Sequence, residues 1–160
     1  MATYKEVLDA STEYFGGDAL AAKVFADKYS LADKTGDYKE LTPDQMHRRL
    51  AKEFARIEKK YPNPMSEDEI YDMMKNFKYV VPQGSPMSAI GNDYQIQSVS
   101  NCFVIGSCAD SYAGILKADE ELAQLMKRRA GAGHDISNIR PRGVITNNAA
   151  KTTDGIGIFM

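Results

Sequence analysis
The sequence predicts an α/β chain in two parts: a helical N-terminal domain over residues 1–78, then the first strands and helices of an α/β domain over residues 79–160. Three observations carry that prediction. Apolar residues recur at helical spacing up to about residue 77, between recognisable start and stop signals. Near residue 78 the pattern gives way to short β-type runs and turn chemistry. Cys102-Phe-Val-Ile105 is then a continuous apolar run, which suits a strand covered on both faces, and a helix and a glycine-rich turn follow it.

The elements follow in order. Tyr4, Val7, Leu8, Tyr14 and Phe15 space a first helix, which Gly16-Gly17 stops. Asp18 is a good N-cap for a second helix, from Ala19 to about Tyr29. Residues 31–40 are polar and read as a loop. Thr42-Pro43-Asp44-Gln45 predicts a capping box with proline at the first helical position, opening a helix to about Lys60. Met46, Leu50, Phe54 and Ile57 mark its buried face, with His47, Arg48, Arg49, Lys52 and Arg56 lying elsewhere. Ser66-Glu-Asp-Glu69 opens another capped helix, with Ile70, Met73, Met74 and Phe77 facing inward. Tyr79-Val-Val-Pro82 is β-type; 83–86 and 91–93 are turns; 98–105 is a strand. Residues 118–129 form a helix, 134–139 a second strand, 141–154 a polar loop, and 155–160 the opening of a further element.

Bulk properties narrow the function classes. At 160 residues, 43% apolar and 26% charged, the chain can build a core. A net charge of −2 provides no global field for nucleic acid or an anionic membrane. No apolar run approaches the ~20 residues of a bilayer span, and the N-terminus lacks the blocks of a signal peptide. Two cysteines are too few for a disulfide framework, so a reducing cytoplasm is the expected setting.

The chemistry-bearing residues lie late in the chain. Cys102 is either a buried small hydrophobe or a redox thiol at the edge of a cleft. A zinc site needs four ligands and would have to use every Cys and His of the chain, Cys102, Cys108, His47 and His134, so no metal is expected. Ala130-Gly-Ala-Gly133 follows a helix, the wrong order for a dinucleotide fingerprint; it reads as a helix stop or as a place where a ligand meets bare backbone. Lys127, Arg128, Arg129, Arg140 and Arg142 form a basic cluster. Helix-dipole pairing accounts for one or two of these charges, and a phosphate site would use the rest. Asp110-Ser111 is a helix cap or a grip on ribose hydroxyls. The basic third helix has interleaved acids and reads as a solvated face.

Taken together, Leu41-Thr-Pro-Asp with His47-Arg-Arg, Pro82-Gln-Gly-Ser-Pro86, Ser100-Asn-Cys-Phe-Val-Ile105, Asp110-Ser111, Arg129-Ala-Gly-Ala-Gly133 and Ser137-Asn-Ile-Arg-Pro-Arg-Gly143 form an ordered set. That set resembles the large, catalytic subunit of ribonucleotide reductase. The resemblance implies a helical domain followed by a ten-stranded α/β barrel, incomplete in these residues. It implies reduction of ribonucleotides by thiyl-radical chemistry, for deoxyribonucleotide biosynthesis and DNA replication, under allosteric specificity control. Cys102 matches one member of the family's redox cysteine pair. Ser85, Asn101 and Gly131 match positions near the substrate. Asp110, Ser111 and Tyr112 match the site for a deoxynucleoside triphosphate or ATP effector. Lys127 and Arg140 match residues near its phosphates, and Val144–Asn148 its flexible loop.

The radical cysteine, the second redox cysteine and their companion asparagine and glutamate lie downstream in the family, and Cys108 has no counterpart there. The chain is therefore expected to be an N-terminal piece, inactive alone, that works with the remaining barrel. Its expected partners are a second copy through helix 113–129 and a thioredoxin-like dithiol reductant. No cofactor is expected within these residues. The radical would come from adenosylcobalamin, which the lack of a preceding nucleotide-binding cone favours, or from a separate metal-containing subunit. The rival readings are a non-enzymatic nucleotide-binding or dimerisation module and a small helical adaptor.

Overall fold
In the computed structural model, which describes residues 2–158, the chain divides between Val99 and Ser100 into two compact units. In the first, α1 (Tyr4–Tyr14) opens with a capping box: the Thr3 hydroxyl accepts from the Glu6 amide, and the Glu6 carboxylate accepts from the Thr3 amide at 2.6 Å. The Asp18 carboxylate accepts from the Leu20 and Ala21 amides at 3.0 Å to start α2 (Ala19–Lys28). Ser66 and Glu69 form a second capping box at the head of α4 (Glu67–Met74). α3 (Pro43–Glu58) has its proline in the first turn, but the expected box does not form. The Gln45 amide donates to the Thr42 carbonyl at 3.1 Å, and the Gln45 side chain accepts from Leu41 instead. α1 packs on α2 and α3 on α4. Val7, Phe25, Met46, Leu50, Ile70, Tyr71 and Met74 fill the core.

Two departures on α3 matter. His47 is fully buried rather than off the core face, whereas Ile57 is partly exposed. Arg49, expected in solvent, has a side chain only 10% exposed against a Glu40 side chain at 5%. Arg49 Nε donates to Glu40 Oε1 at 2.6 Å, and Nη2 donates to Glu40 Oε2 at 3.2 Å and to the Met87 carbonyl at 2.9 Å. Its Nη1 donates to the Ile90 carbonyl. The Glu40 carboxylate also accepts from the Leu31 amide at 3.1 Å. One ion pair thus joins loop 31–40, α3 and α5 (Gly84–Ala89).

α5 forms where the sequence reads as a turn, and Tyr79–Val81 is not a strand: the Tyr79 and Val80 amides donate to the Met73 carbonyl. Residues 79–99, grouped by sequence with the barrel portion, therefore sit in the first unit, held there by Arg49. Gly91 turns the chain at φ +70°, and a Cβ there would stand 2.8 Å from Arg49 Cγ.

The second unit is a β-α-β arrangement. β1 (Cys102–Ile105) pairs in parallel with β2 (Gly131–His134), and α6 (Tyr112–Met126) connects them. α6 begins six residues earlier than expected, at the Ser111 cap. β2 falls on the glycine run rather than on 134–139, because a ladder is made by backbone groups and asks nothing of side chains. Residues 143–153 fold back on themselves through an antiparallel Ile145–Thr152 bridge. Ile156–Ile158 form a single 3₁₀ turn; Phe159 and Met160, at the end of the further element expected over 155–160, lie outside the described residues.

Arg49→Met should strand the Glu40 carboxylate in the interior and cost about 3–5 kcal/mol. Urea unfolding of the 160-residue chain, followed by far-ultraviolet circular dichroism, measures that loss.

Candidate functional site
Strand alternation decides what Cys102 can do. Residues 102 and 104 share one face of the two-stranded sheet with their partners 131 and 133; Phe103, Ile105, Ala132 and His134 share the other. Ile105 is buried on the second face, while Cys102, Gly131 and Gly133 are exposed on the first and Val104 is 94% exposed. The strand is thus covered on one face within this unit, not on both. The register sets Gly131 directly beside Cys102, and Gly131 N–H donates to the Asn101 carbonyl at 2.7 Å. The nearest atom to a Cβ added at Gly131 is that Asn101 oxygen, at 3.5 Å, and nothing lies within 4 Å of one added at Gly133. The glycine strand therefore leaves open space beside an accessible thiol. Cys108 is buried and shares none of this surface.

A second feature lies at the head of α6. Asp110, Ser111, Tyr112, Ile115, Arg140, Thr146, Asn148 and Thr152 are among the residues lining a cavity of about 270 Å³. The Arg140 guanidinium donates to the Asp110 carboxylate, and the Arg140 amide donates to it at 3.3 Å. Those bonds hold the Asp110 carboxyl below the usual carboxylate range. The Ser111 hydroxyl accepts from the Gly114 amide at 3.1 Å, so it serves as the cap. The cavity offers a cation, a carboxylate, an exposed aromatic ring and loop hydroxyls, which suit a phosphorylated ribose.

The structure joins Asp110, Ser111, Tyr112 and Arg140, and it joins Cys102, Asn101 and Gly131. It does not bring Lys127 to the cavity: Lys127 caps the other end of α6, roughly 24 Å along the axis from Ser111. Arg128 likewise donates to the Gln124 carbonyl at 2.8 Å, as a helix-end cation does. Ser85 is buried on the first turn of α5, in the first unit. Thr152 and Thr153 were not legible as site residues, since only the closure of the 143–153 loop carries them to the cavity. Gly114 was also missed; its signal is a glycine three residues after a cap. Among the described residues no group of three or more His, Cys, Asp or Glu could hold a metal ion. No helix there is long and apolar enough to cross a membrane.

A helical unit followed by a parallel β-α-β unit, with an exposed thiol on its first strand, defines the class: an all-α domain preceding an α/β one. Comparison with protein families agrees in both parts. Residues 15–92 match the ribonucleotide reductase all-alpha domain, and residues 100–160 match the ribonucleotide reductase barrel domain. The chain belongs to the ribonucleotide reductase large-subunit family. Membership places it among oxidoreductases of deoxyribonucleotide biosynthesis that act on a nucleotide with the rest of the catalytic subunit. No curated protein matches the chain.

Alanine in place of glycine inside a helix ordinarily stabilises by about 1 kcal/mol. At Gly114 the sign should reverse, because the new Cβ would stand 2.5 Å from the Ala109 carbonyl oxygen, a backbone atom. Gly114→Ala should lower the thermal midpoint and displace Asp110 from Arg140, seen as a shifted Arg140 Nε–H resonance.

Proposed function
We propose that Cys102 is one thiol of the redox pair that reduces a ribonucleotide in a thiyl-radical reaction, and that the cavity at the head of α6 takes a deoxynucleoside triphosphate or ATP that sets substrate choice. The observation that carries the first part is the exposed Cys102 beside the side-chain-free β2. Substrate approaches the thiol over bare backbone at Gly131, with Asn101 adjacent. The two thiols of the pair lose one hydrogen each and become a disulfide; one hydrogen departs with the 2′ hydroxyl as water, the other forms the new C–H bond at C2′, and an external thioredoxin-like dithiol restores the pair by exchange.

Adenosylcobalamin or a separate metal-containing subunit supplies the radical; no residue of this chain is assigned to hold either. The second redox cysteine and the radical cysteine come from the remaining barrel, so the chain alone does not turn over. Tyr112, Leu116 and Met126, each more than half exposed on α6, support pairing of two copies through that helix. Effector phosphates engage Arg140, which exchanges its Asp110 partner for them, and Asp110 then serves the ribose. Ser85 acts from the substrate side in the assembled subunit, and Lys127 acts outside the cavity.

In the complete catalytic subunit, Cys102→Ser should abolish multiple turnover with the dithiol reductant; retained turnover would remove Cys102 from the pair. Arg140→Ala should weaken deoxynucleoside triphosphate binding by about 1.5–3 kcal/mol, the scale of a charged hydrogen bond, measured by titration calorimetry. Unchanged affinity would take Arg140 out of the site.

A further inference from the structure
His47 is buried in the helical unit, and neither ring nitrogen has a hydrogen-bond partner. The Phe77 ring covers it edge-on at 4.6 Å between centroids and also stacks on Phe15 at 6.5 Å. Phe77 belongs to the 3₁₀ turn Lys75–Phe77, which carries two consecutive non-glycine residues, Asn76 and Phe77, at φ 55°. Asparagine is among the side chains that tolerate this left-handed conformation, whereas a bulky aromatic is strained in it. The turn keeps it through packing on His47 and Phe15, a Tyr14 hydroxyl donating to Asn76 Oδ1 at 3.2 Å, and the Tyr79 and Val80 amides donating to Met73.

We propose that His47 is an acid-sensitive latch beneath this turn: protonation of its imidazole ejects the Phe77 ring and frees residues 75–80 from the helical core. An imidazolium carries two N–H donors, and this pocket offers neither an acceptor. The surrounding charged and titratable groups do not supply one. On α3 itself, Asp44 lies one turn earlier, and its carboxylate already accepts from the Tyr71 hydroxyl of α4. Arg48 is bound to Asp68 and stacked over the Tyr71 ring. The Tyr14 hydroxyl of α1 is engaged by Asn76. Lys75, on the turn, lies over the Tyr71 ring and carries the same sign as the imidazolium. Burial outweighs the attraction of Asp44 and holds the imidazole below the ordinary histidine range. Lifting a turn that already stores backbone strain is the cheapest way to bring water to the ring.

The sign follows from linkage. A histidine whose folded value is depressed leaves stability constant above the unfolded value, about pH 6.5, and the open state gains up to about tenfold per pH unit between that value and the depressed one. The inference is independent of the reductase reading. Amide exchange of the full chain, corrected for intrinsic rates and compared at about pH 7.5 and pH 5, tests it. Amides 75–80 should lose protection on acidification by at least tenfold more than those of α3. His47→Leu, which keeps an apolar core residue, should remove that difference. The latch is overturned if His47→Leu shows the same local loss, or if the whole helical unit loses protection together. Should His47→Leu fail to fold, the His47 ring resonances of the native chain decide: their titration must coincide with the opening of 75–80, and a mismatch overturns the proposal.

Discussion
The Glu40–Arg49 pair is the interaction on which the arrangement of the first unit depends. A guanidinium has five N–H donors and must find acceptors for them once it leaves water. Arg49 finds two carboxylate oxygens in the loop before α3 and two carbonyls at the end of α5. Each partner is far from α3 in sequence or belongs to a segment with weak helical signals of its own. Without the pair, the buried Glu40 carboxylate would lose its cation, and the Met87 and Ile90 carbonyls would lose the donors that Arg49 supplies. Gly91 completes the arrangement, since a side chain there would meet the aliphatic stem of Arg49.

In the second unit the governing constraint is the pairing of a glycine-containing strand with the strand of Cys102. A Gly-Ala-Gly run is a poor strand by propensity, and a lone ladder of four residue pairs is a small structure. Its consequence is chemical rather than energetic. The absence of side chains at 131 and 133 leaves the thiol face open, whereas Ile105 and Ala130 are buried. Openness on one face and burial on the other come from the same alternation.

The Asp110–Arg140 pair plays a comparable part at the cavity. It links the residue before the α6 cap to the segment after β2, thirty positions later, and so shapes the wall of the cavity. Because the Arg140 and Asp110 side chains keep 41% and 32% of their surface in solvent, the pair is an exchangeable one, unlike the buried Glu40–Arg49 pair.

Much of this was legible in the sequence. The α2 and α4 caps, the first four helices, the family, and the grouping of Asp110, Ser111, Tyr112 and Arg140 all follow from local chemistry or from motif order. What escaped reading shares one cause. Helical spacing assigns faces by hydropathy, so it sends Arg49 and His47 outward; tertiary structure buries the first because four acceptors converge on it, and the second because Phe77 covers it. Propensity treats Gly131–Gly133 as a stop, whereas pairing with β1 makes it a strand. Motif order places Lys127 among phosphate ligands, but a rigid fifteen-residue helix carries it to the far end. The sequence by itself determined where the first four helices start and which family the chain belongs to, because those depend on caps and motifs a few residues long and on their order. Only the tertiary structure decided which polar groups are buried, which glycines pair and which charges meet, because those depend on partners supplied from elsewhere in the chain.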